Sequence, residues 1–171
     1  MVEAPVARGA GGVLVVNASP LIHLAEAGRL DLLRDAGTSI WVPEPVAREI
    51  RTYGAQDPTA RALAEQAWLV IRPAPPIAED ITTWDLGPGE SSVLALARVT
   101  AASIAVIDDL AARRCAQALG IALRGTVGLV LLAKQEGRIP SARPVIDALR
   151  SRGMFLSDAV IEEALSLVGE S

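Results

Sequence analysis

The sequence Val13-Leu14-Val15-Val16-Asn17-Ala18-Ser19-Pro20 joins a short apolar run to polar side chains, and Ile104-Ala105-Val106-Ile107-Asp108-Asp109 has the same design. Continuous β-branched runs of this length are typical of strands that are buried on both faces of a parallel sheet. In open α/β sheets, ligands bind just outside the carboxyl ends of such strands. The polar residues that follow the two runs are therefore candidates for a functional site.

Apolar runs alternate with helical patterns along the rest of the chain. Further strands are predicted at residues 40–42, 68–71 and 121–123, with helices in most of the intervening segments. Hydrophobic residues make up 51% of the sequence, but only five residues are aromatic, so we expect an aliphatic core. These features predict an α/β fold of three layers, α/β/α, with a central parallel sheet.

The length of 171 residues suits one compact domain. We predict that this domain covers residues 13–171. Residues 1–12 (MVEAPVARGAGG) are predicted to form a flexible leader, because they are rich in Gly and Ala and carry no periodic pattern. Ser19 is predicted to cap the first helix, with Pro20 at its first helical position.

Cysteine usage and the lack of targeting patterns indicate the compartment. The single cysteine, Cys115, cannot form an intramolecular disulfide, which fits a reducing environment. The sequence opens with no signal-peptide pattern and contains no apolar run of the ~18–20 residues that a membrane span needs. We therefore expect a soluble, cytoplasmic protein that makes no membrane contact.

The charge of the chain is unevenly distributed. A net charge of −4 argues against a general nucleic-acid coat, but residues 110–155 contain eight basic and only two acidic residues. Arg113 and Arg114 lie at the start of this segment, where they could face the phosphates of a nucleic acid. An ordinary solvated helical surface is the alternative.

Two further carboxylates complete the candidate site. Glu90 follows a Gly-Pro-Gly sequence at the start of a predicted helix, and Glu49 lies about two turns into the helix after the second strand. In a parallel sheet these groups can converge with Asn17, Asp108 and Asp109 at the carboxyl edge. Gathered carboxylates repel one another unless a divalent cation holds them. Oxygen-only ligands suit Mg²⁺ or Mn²⁺ rather than zinc, and such an ion can activate water for attack on a phosphodiester.

Each of these residues also has a simpler interpretation. Glu90 could merely favour the dipole of its helix, and Glu49 could be a solvated helix residue. Asp108 and Asp109 could cap the next helix. His23, the single histidine, is expected to be a surface or packing residue. The joint placement of the acids, with Asn17 at a matching strand end, is what favours a site.

Other kinds of site lack their sequence patterns. The chain contains no G-x-x-x-x-G-K-[ST] phosphate loop, no G-x-G-x-x-G after a strand and no G-x-S-x-G elbow. A phosphatase-like or nucleotide-binding domain on the same α/β frame is therefore disfavoured.

The order of the motifs resembles the PIN-domain superfamily. The stretches that show the resemblance are VVNASPLIHLAEAGRLDLL (15–33), VPEPVAREI (42–50), LGPGESSVLALA (86–97), IAVIDDLAARRCAQALGI (104–121) and GTVGLVLLAKQEGRI (125–139). The resemblance covers residues 13–167 and is closest to the small prokaryotic branch that includes toxins of toxin–antitoxin pairs. It implies a Mg²⁺- or Mn²⁺-dependent single-strand ribonuclease that is commonly dimeric and neutralised by an antitoxin protein.

The resemblance also assigns roles to residues. Glu49, Glu90 and Asp109 correspond to the catalytic acids, and Asn17, Glu90, Asp108 and Asp109 are the expected metal ligands. Ser19 is the neighbouring hydroxyl and is expected to bind substrate, together with Arg113 and Arg114, whose expected role comes from the charge of the basic segment. Asn17 departs from the family, because catalytic PIN domains usually carry Asp there. An amide oxygen can still bind a hard cation, but it brings no charge.

Two functions from different classes follow. The first is a metal-dependent endoribonuclease of toxin type that binds single-stranded RNA through the basic segment. The second is a catalytically weak or inactive PIN-like module that binds RNA or a protein. The apolar helix over 127–133 also suggests a homodimer.

Overall fold

The computed structural model describes residues 12–171. It contains five strands, which are β1 (Val13–Val16), β2 (Ser39–Pro43), β3 (Leu69–Arg72), β4 (Ser103–Val106) and β5 (Leu123–Arg124). The helices are α1 (Ala18–Glu26), α2 (Asp31–Arg34), α3 (Glu44–Arg51), α4 (Pro58–Glu65), α5 (Glu79–Thr82), α6 (Pro88–Val99), α7 (Leu110–Ala118), α8 (Thr126–Gln135), α9 (Arg143–Ser151) and α10 (Asp158–Ser166). Residues 1–11 of the predicted leader lie outside the described residues. Gly12 is described, and its carbonyl accepts a hydrogen bond from Thr38 N (3.0 Å).

The five strands form one sheet in the order β3-β2-β1-β4-β5, and every pair is parallel. Strand β1 is central, with Val16 paired to Val106 of β4. The pairing continues past the strand, since Asn17 N donates to Val106 O (3.0 Å). The polar ends of β1 and β4 therefore lie side by side, and the predicted three-layer α/β/α architecture is confirmed.

The two apolar runs fold as buried strands for the reason that the sequence indicated. Leu14, Val15, Val16, Ala105 and Val106 are each completely buried, which requires protein on both faces of the sheet. The core around them is built from Leu, Ile, Val and Ala, with no aromatic residue among its buried members in residues 12–171. Within the same range, no helix is both long enough and apolar enough to cross a membrane.

Helix α8 packs inside the core. Its apolar residues from Val127 to Ala133 are at most 8% exposed. These side chains are therefore unavailable for contact with a second copy. The apolar residues of α8 thus serve the core of the monomer, and the homodimer stays a prediction without this surface to support it.

Three local expectations differ from the structure. Helix α1 begins at Ala18, and its N-cap is Asn17 rather than the predicted Ser19. Pro20 therefore lies third in the helix, where its lack of an N–H is tolerated because the amides of the first turn have no partner within the helix. Strand β5 starts at Leu123, because Ile121 N bonds back to Ala116 O (2.8 Å) and closes the end of α7. The single turn α5 was not predicted, since four residues are too few to show a period.

Candidate functional site

A cavity of about 510 Å³ opens at the carboxyl edge of the sheet, beside the ends of β1 and β4. Six of the eight residues predicted for the site line it: Asn17, Ser19, Glu90, Asp108, Asp109 and Arg113. Glu49 and Arg114 are not among its lining residues. The parallel sheet thus brings together side chains that are up to 96 positions apart, counting from Asn17 to Arg113.

Asn17 lies at the centre of this arrangement. It is only 2% exposed, because it ends the central strand and caps helix α1. Its Nδ2 donates a hydrogen bond to Glu90 Oε1 (3.1 Å). Its Oδ1 is buried and has no hydrogen-bond partner within the described residues. A buried amide oxygen without a partner is costly, so this atom is the strongest indication that something binds here.

Glu90 is held over the start of helix α6. It is the third residue of the helix, whose N-cap is Gly87. A Cβ on Gly87 would lie 2.6 Å from Glu90 Oε2, so a side chain at position 87 would push the carboxylate out of this orientation. A negative charge at this end of a helix is stabilised by the helix dipole. The dipole interpretation of Glu90 is therefore compatible with its position in the cavity.

Gly89 keeps a gap open between Asn17 and Glu49. A Cβ on Gly89 would lie 3.1 Å from Asn17 Oδ1 and 3.4 Å from Glu49 Oε2. Glu49 is exposed on α3, and it approaches the unpartnered amide oxygen from outside the cavity lining. Partial burial, and then the charge of Glu49, raise the pKa of Tyr53. The carboxylate of Glu49 thus lies beside the cavity, and Gly89 lies between it and the amide oxygen of Asn17.

Asp108 holds two elements together. Its Oδ1 accepts a hydrogen bond from Thr126 N (2.8 Å) and its Oδ2 accepts one from Thr126 Oγ1 (2.6 Å). Thr126 is the first residue of α8, so its amide has no partner within the helix. Both carboxylate oxygens of Asp108 are therefore engaged in fastening α8 to the end of β4.

Asp109 combines a capping role with a place in the cavity. It is the N-cap of α7, and its Oδ1 accepts a hydrogen bond from Ala112 N (2.8 Å). The residue is exposed and lines the cavity. The capping alternative is correct for this residue, and it fixes the carboxylate at the cavity wall.

Sequence reasoning missed part of the lining. His23 faces the cavity, with Nε2 3.3 Å from Ser19 Oγ, and its Nδ1 is buried without a partner in the described part of the chain. The i, i+4 spacing of Ser19 and His23 on one helix could have indicated this pairing. Met154, Phe155 and Leu156 come from the loop between α9 and α10, and no pattern in the sequence ties that loop to the cavity.

The basic segment is largely neutralised. Four of its cations pair with carboxylates: Lys134 with Glu170, Arg138 with Glu136, Arg143 with Glu162 and Arg150 with Asp158. Arg124 is 8% exposed. Arg113 lines the cavity and donates from Nη1 to Ile107 O (3.1 Å). Arg114 is exposed on the outer face of α7.

The protein is an α/β/α domain with a cavity at the carboxyl edge of a parallel sheet, and the lining of this cavity includes amide and carboxylate oxygens. A family model described as a PIN domain matches residues 13–170. The chain therefore belongs to the PIN-domain family, and its fold is of the nuclease type. No curated protein matches the sequence.

PIN domains generally use divalent metal ions, and the donor atoms of this cavity are compatible with one. Amide and carboxylate oxygens are the ligands that Mg²⁺ and Mn²⁺ prefer. The unpartnered Asn17 Oδ1 and the gap beside Gly89 provide an acceptor and space. Across residues 12–171, no three Asp, Glu, His or Cys side chains are grouped closely enough to hold an ion by themselves.

Proposed function

We propose that the protein is a Mg²⁺- or Mn²⁺-dependent endoribonuclease that cleaves single-stranded RNA. The observation that carries the proposal is Asn17 Oδ1, a buried acceptor without a partner in the described residues, in a cavity that Glu90 and Asp109 also line. An unsatisfied buried acceptor is stabilised by a cation more readily than by any apolar group. Membership of the PIN-domain family supports a nuclease over other uses of such a cavity.

Asn17, Glu90 and Asp109 are the residues proposed to hold the ion, with Asp108 beside them. When bound, a divalent ion lowers the pKa of water bound to it and stabilises negative charge on phosphate oxygens. Glu49 is proposed to orient or deprotonate the attacking water, because its carboxylate borders the same gap as Asn17 Oδ1. Glu90 keeps its orientation through the hydrogen bond from Asn17 Nδ2.

The proposed substrate contacts are Ser19, Arg113 and Arg114. Ser19 Oγ and the guanidinium of Arg113 face the cavity, where they can donate to phosphate oxygens. Arg114 is exposed one position further along α7 and has no ion pair with any residue of the described range. A strand that enters the cavity past α7 would meet both arginines.

The biological role that we propose is that of a toxin in a toxin–antitoxin pair, acting in the cytoplasm. The support is the likeness of the motif order to small prokaryotic PIN proteins. A partner antitoxin and a homodimer belong to the same proposal. Because the apolar face of α8 is buried, the surface of such a dimer would have to lie elsewhere.

A second candidate is a module that binds RNA or a protein and does not cleave. The observation that favours it is the hydrogen bond between Asn17 Nδ2 and Glu90 Oε1. The amide satisfies the carboxylate without any ion, whereas an aspartate at position 17 would leave two negative charges in need of a cation. The site of this chain is thus less dependent on a metal than one with Asp at that position.

Purified protein incubated with a panel of oligonucleotides separates the two candidates. The panel contains single-stranded RNA, the same RNA as a duplex, and single-stranded DNA, each with Mn²⁺ or with EDTA. The nuclease proposal predicts cleavage of single-stranded RNA in Mn²⁺ and none in EDTA. Binding of RNA without cleavage in Mn²⁺ would instead support the binding module.

A further inference from the structure

Phe155 is the single phenylalanine of the chain, and its side chain is 96% exposed. It lies in the loop between α9 and α10 and lines the same cavity as Asn17, Glu90 and Asp109. Leaving a phenylalanine ring in water forgoes the stabilisation that burial would provide. Isolated exposed apolar residues are common, so exposure alone shows nothing. The position at the mouth of the candidate site is what makes this ring informative.

The loop holds the ring outward from both sides. Before it, Met154 is 9% exposed, and its amide donates to Leu149 O (3.0 Å). After it, the Ser157 side chain caps α10 by accepting from Val160 N (3.2 Å). Gly153 supplies the left-handed turn (φ +105°) that an L side chain rarely adopts. The exposure of Phe155 therefore follows from an anchored backbone.

The cavity is lined by two chemically different kinds of side chain. Its lining includes the polar side chains of Asn17, Glu90 and Asp109 and the apolar side chains of Leu110, Met154 and Phe155. Leu110 is 61% exposed, so the apolar part of the lining reaches solvent. A nucleotide combines the same two kinds of chemistry, with an anionic phosphate at one end and a flat, weakly polar base at the other.

We propose that Phe155 stacks on a nucleobase of the single-stranded substrate next to the phosphate held by the polar side chains. This inference rests on the proposed function and adds a residue that binds the substrate through its base. Aromatic side chains at the edge of a polar groove bind single strands in this way, largely without regard to sequence. The place of the ring on the lining of the cavity that also holds Asn17, Glu90 and Asp109 favours a nucleotide over a protein partner, and a protein contact is left as an outcome of the test.

The test measures binding of a fluorescent single-stranded RNA, and of an abasic strand with the same number of phosphates, in Mn²⁺. Proteins carry Glu90→Gln to slow cleavage. Phe155→Leu should weaken binding of the RNA about 5- to 150-fold, the range for loss of one stack on a base. Binding of the abasic strand should change by less than about twofold. Phe155→Trp should retain RNA binding. Trp84→Leu, which removes an aromatic ring outside the cavity, is the matched control.

The other outcomes are decisive as well. Equal loss of affinity for both strands would overturn the stacking role, because the abasic strand offers nothing to stack on. Unchanged RNA affinity together with an altered size in gel filtration would assign Phe155 to a protein contact instead. If the parent bound the RNA and Phe155→Leu bound equally well, this inference would fail while the proposed function stood. Failure of the protein with Glu90 intact to bind or to cleave any strand in Mn²⁺ would overturn both.

Discussion

Asn17 Nδ2 lies 3.1 Å from Glu90 Oε1, so the residue that departs from the usual PIN pattern binds one of the acids of its own site. The amide neutralises no charge, but it donates a hydrogen bond where an aspartate would present a second negative charge. Without a metal, the side chains of this cavity therefore repel one another less than a set made of carboxylates alone would. The amide oxygen is left buried and without a partner in the described residues, which is why we propose it as a ligand of the cation.

Replacing Asn17 by Asp should increase the dependence of the fold on metal. Without metal, Asn17→Asp should lower the melting temperature, because the new carboxylate faces Glu90 at hydrogen-bond distance. With Mn²⁺ the variant should gain more stability than the parent, by about 1.4 kcal/mol for each tenfold gain in affinity. Melting curves with and without Mn²⁺ measure both effects. Gln117→Glu adds the same charge on the exposed face of α7 and should show neither. Equal metal-induced shifts in parent and Asn17→Asp would mean that residue 17 does not face the ion.

Thr126→Val should destabilise the protein even though the shape of the side chain is kept. The substitution removes the hydroxyl that donates to Asp108 at 2.6 Å and leaves the buried end of α8 with one bond fewer. Hydrogen bonds to charged groups contribute about 1.5–3 kcal/mol, and we expect a loss in this range in urea unfolding. Thr82→Val is the control, since Thr82 is exposed and should change stability by less than about 0.5 kcal/mol. If the two variants unfolded alike, the hydroxyl of Thr126 would contribute little to fastening α8 to Asp108.

The sequence predicted the fold and most of the cavity because two short signals were strong. Apolar runs that end in polar groups located the ends of β1 and β4, and a parallel sheet places such ends together. What the sequence could not show was the orientation of side chains. Asp108 and Asp109 are adjacent and identical in type, so the sequence does not distinguish them. In the structure, Asp108 fastens α8 and Asp109 caps α7.

Long-range contacts were equally invisible. The loop around Phe155 reaches the cavity only through the packing of α9 and α10, which no local period encodes. The basic segment looked like a phosphate-binding surface because its acidic partners, Asp158, Glu162 and Glu170, lie further along the chain. Charge counts within a window cannot detect ion pairs that cross its boundary.

Arg114→Glu should weaken RNA binding and reduce its dependence on salt. Each phosphate contact releases counterions, so loss of one contact should lower the slope of log affinity against log salt by about 1. Arg114 is a cleaner choice than Arg113, because Arg113 also donates to Ile107 O and supports the fold. Arg34→Glu makes the same charge change beside a different cavity. Titrations at several salt concentrations measure the slopes. Matching slopes for the two variants would show that Arg114 does not contact RNA.

Glu170 should contribute stability that disappears in acid. Its carboxylate accepts hydrogen bonds from Ala142 N, Arg143 N and Ser141 Oγ at the start of α9, and these bonds, with the nearby Lys134, lower the pKa of Glu170 to about 2. A depressed pKa in the folded state means that the contribution is complete above the ordinary glutamate pKa of about 4.3. It is lost as the pH falls towards about 2.

Glu170→Gln should therefore be less stable than the parent at neutral pH, and the difference should shrink between pH about 4.3 and about 2. Urea unfolding across this range measures it. Glu163→Gln, which changes an exposed carboxylate on α10, is the matched control and should show little difference at any pH. A constant gap between Glu170→Gln and the parent down to pH about 2 would contradict the assignment.

The most direct measurement of the central claim is the rate at which the parent and Glu90→Gln cleave single-stranded RNA in Mn²⁺. Glutamine keeps the shape of Glu90 and a carbonyl oxygen near Asn17, but it removes the charge through which Glu90 is proposed to hold the ion. The account predicts cleavage by the parent that EDTA abolishes, and a rate at least about 100-fold lower for the variant, the scale for losing one group that stabilises charge at a reacting phosphate. Equal rates for the two proteins, or cleavage by the parent that persists in EDTA, would contradict it.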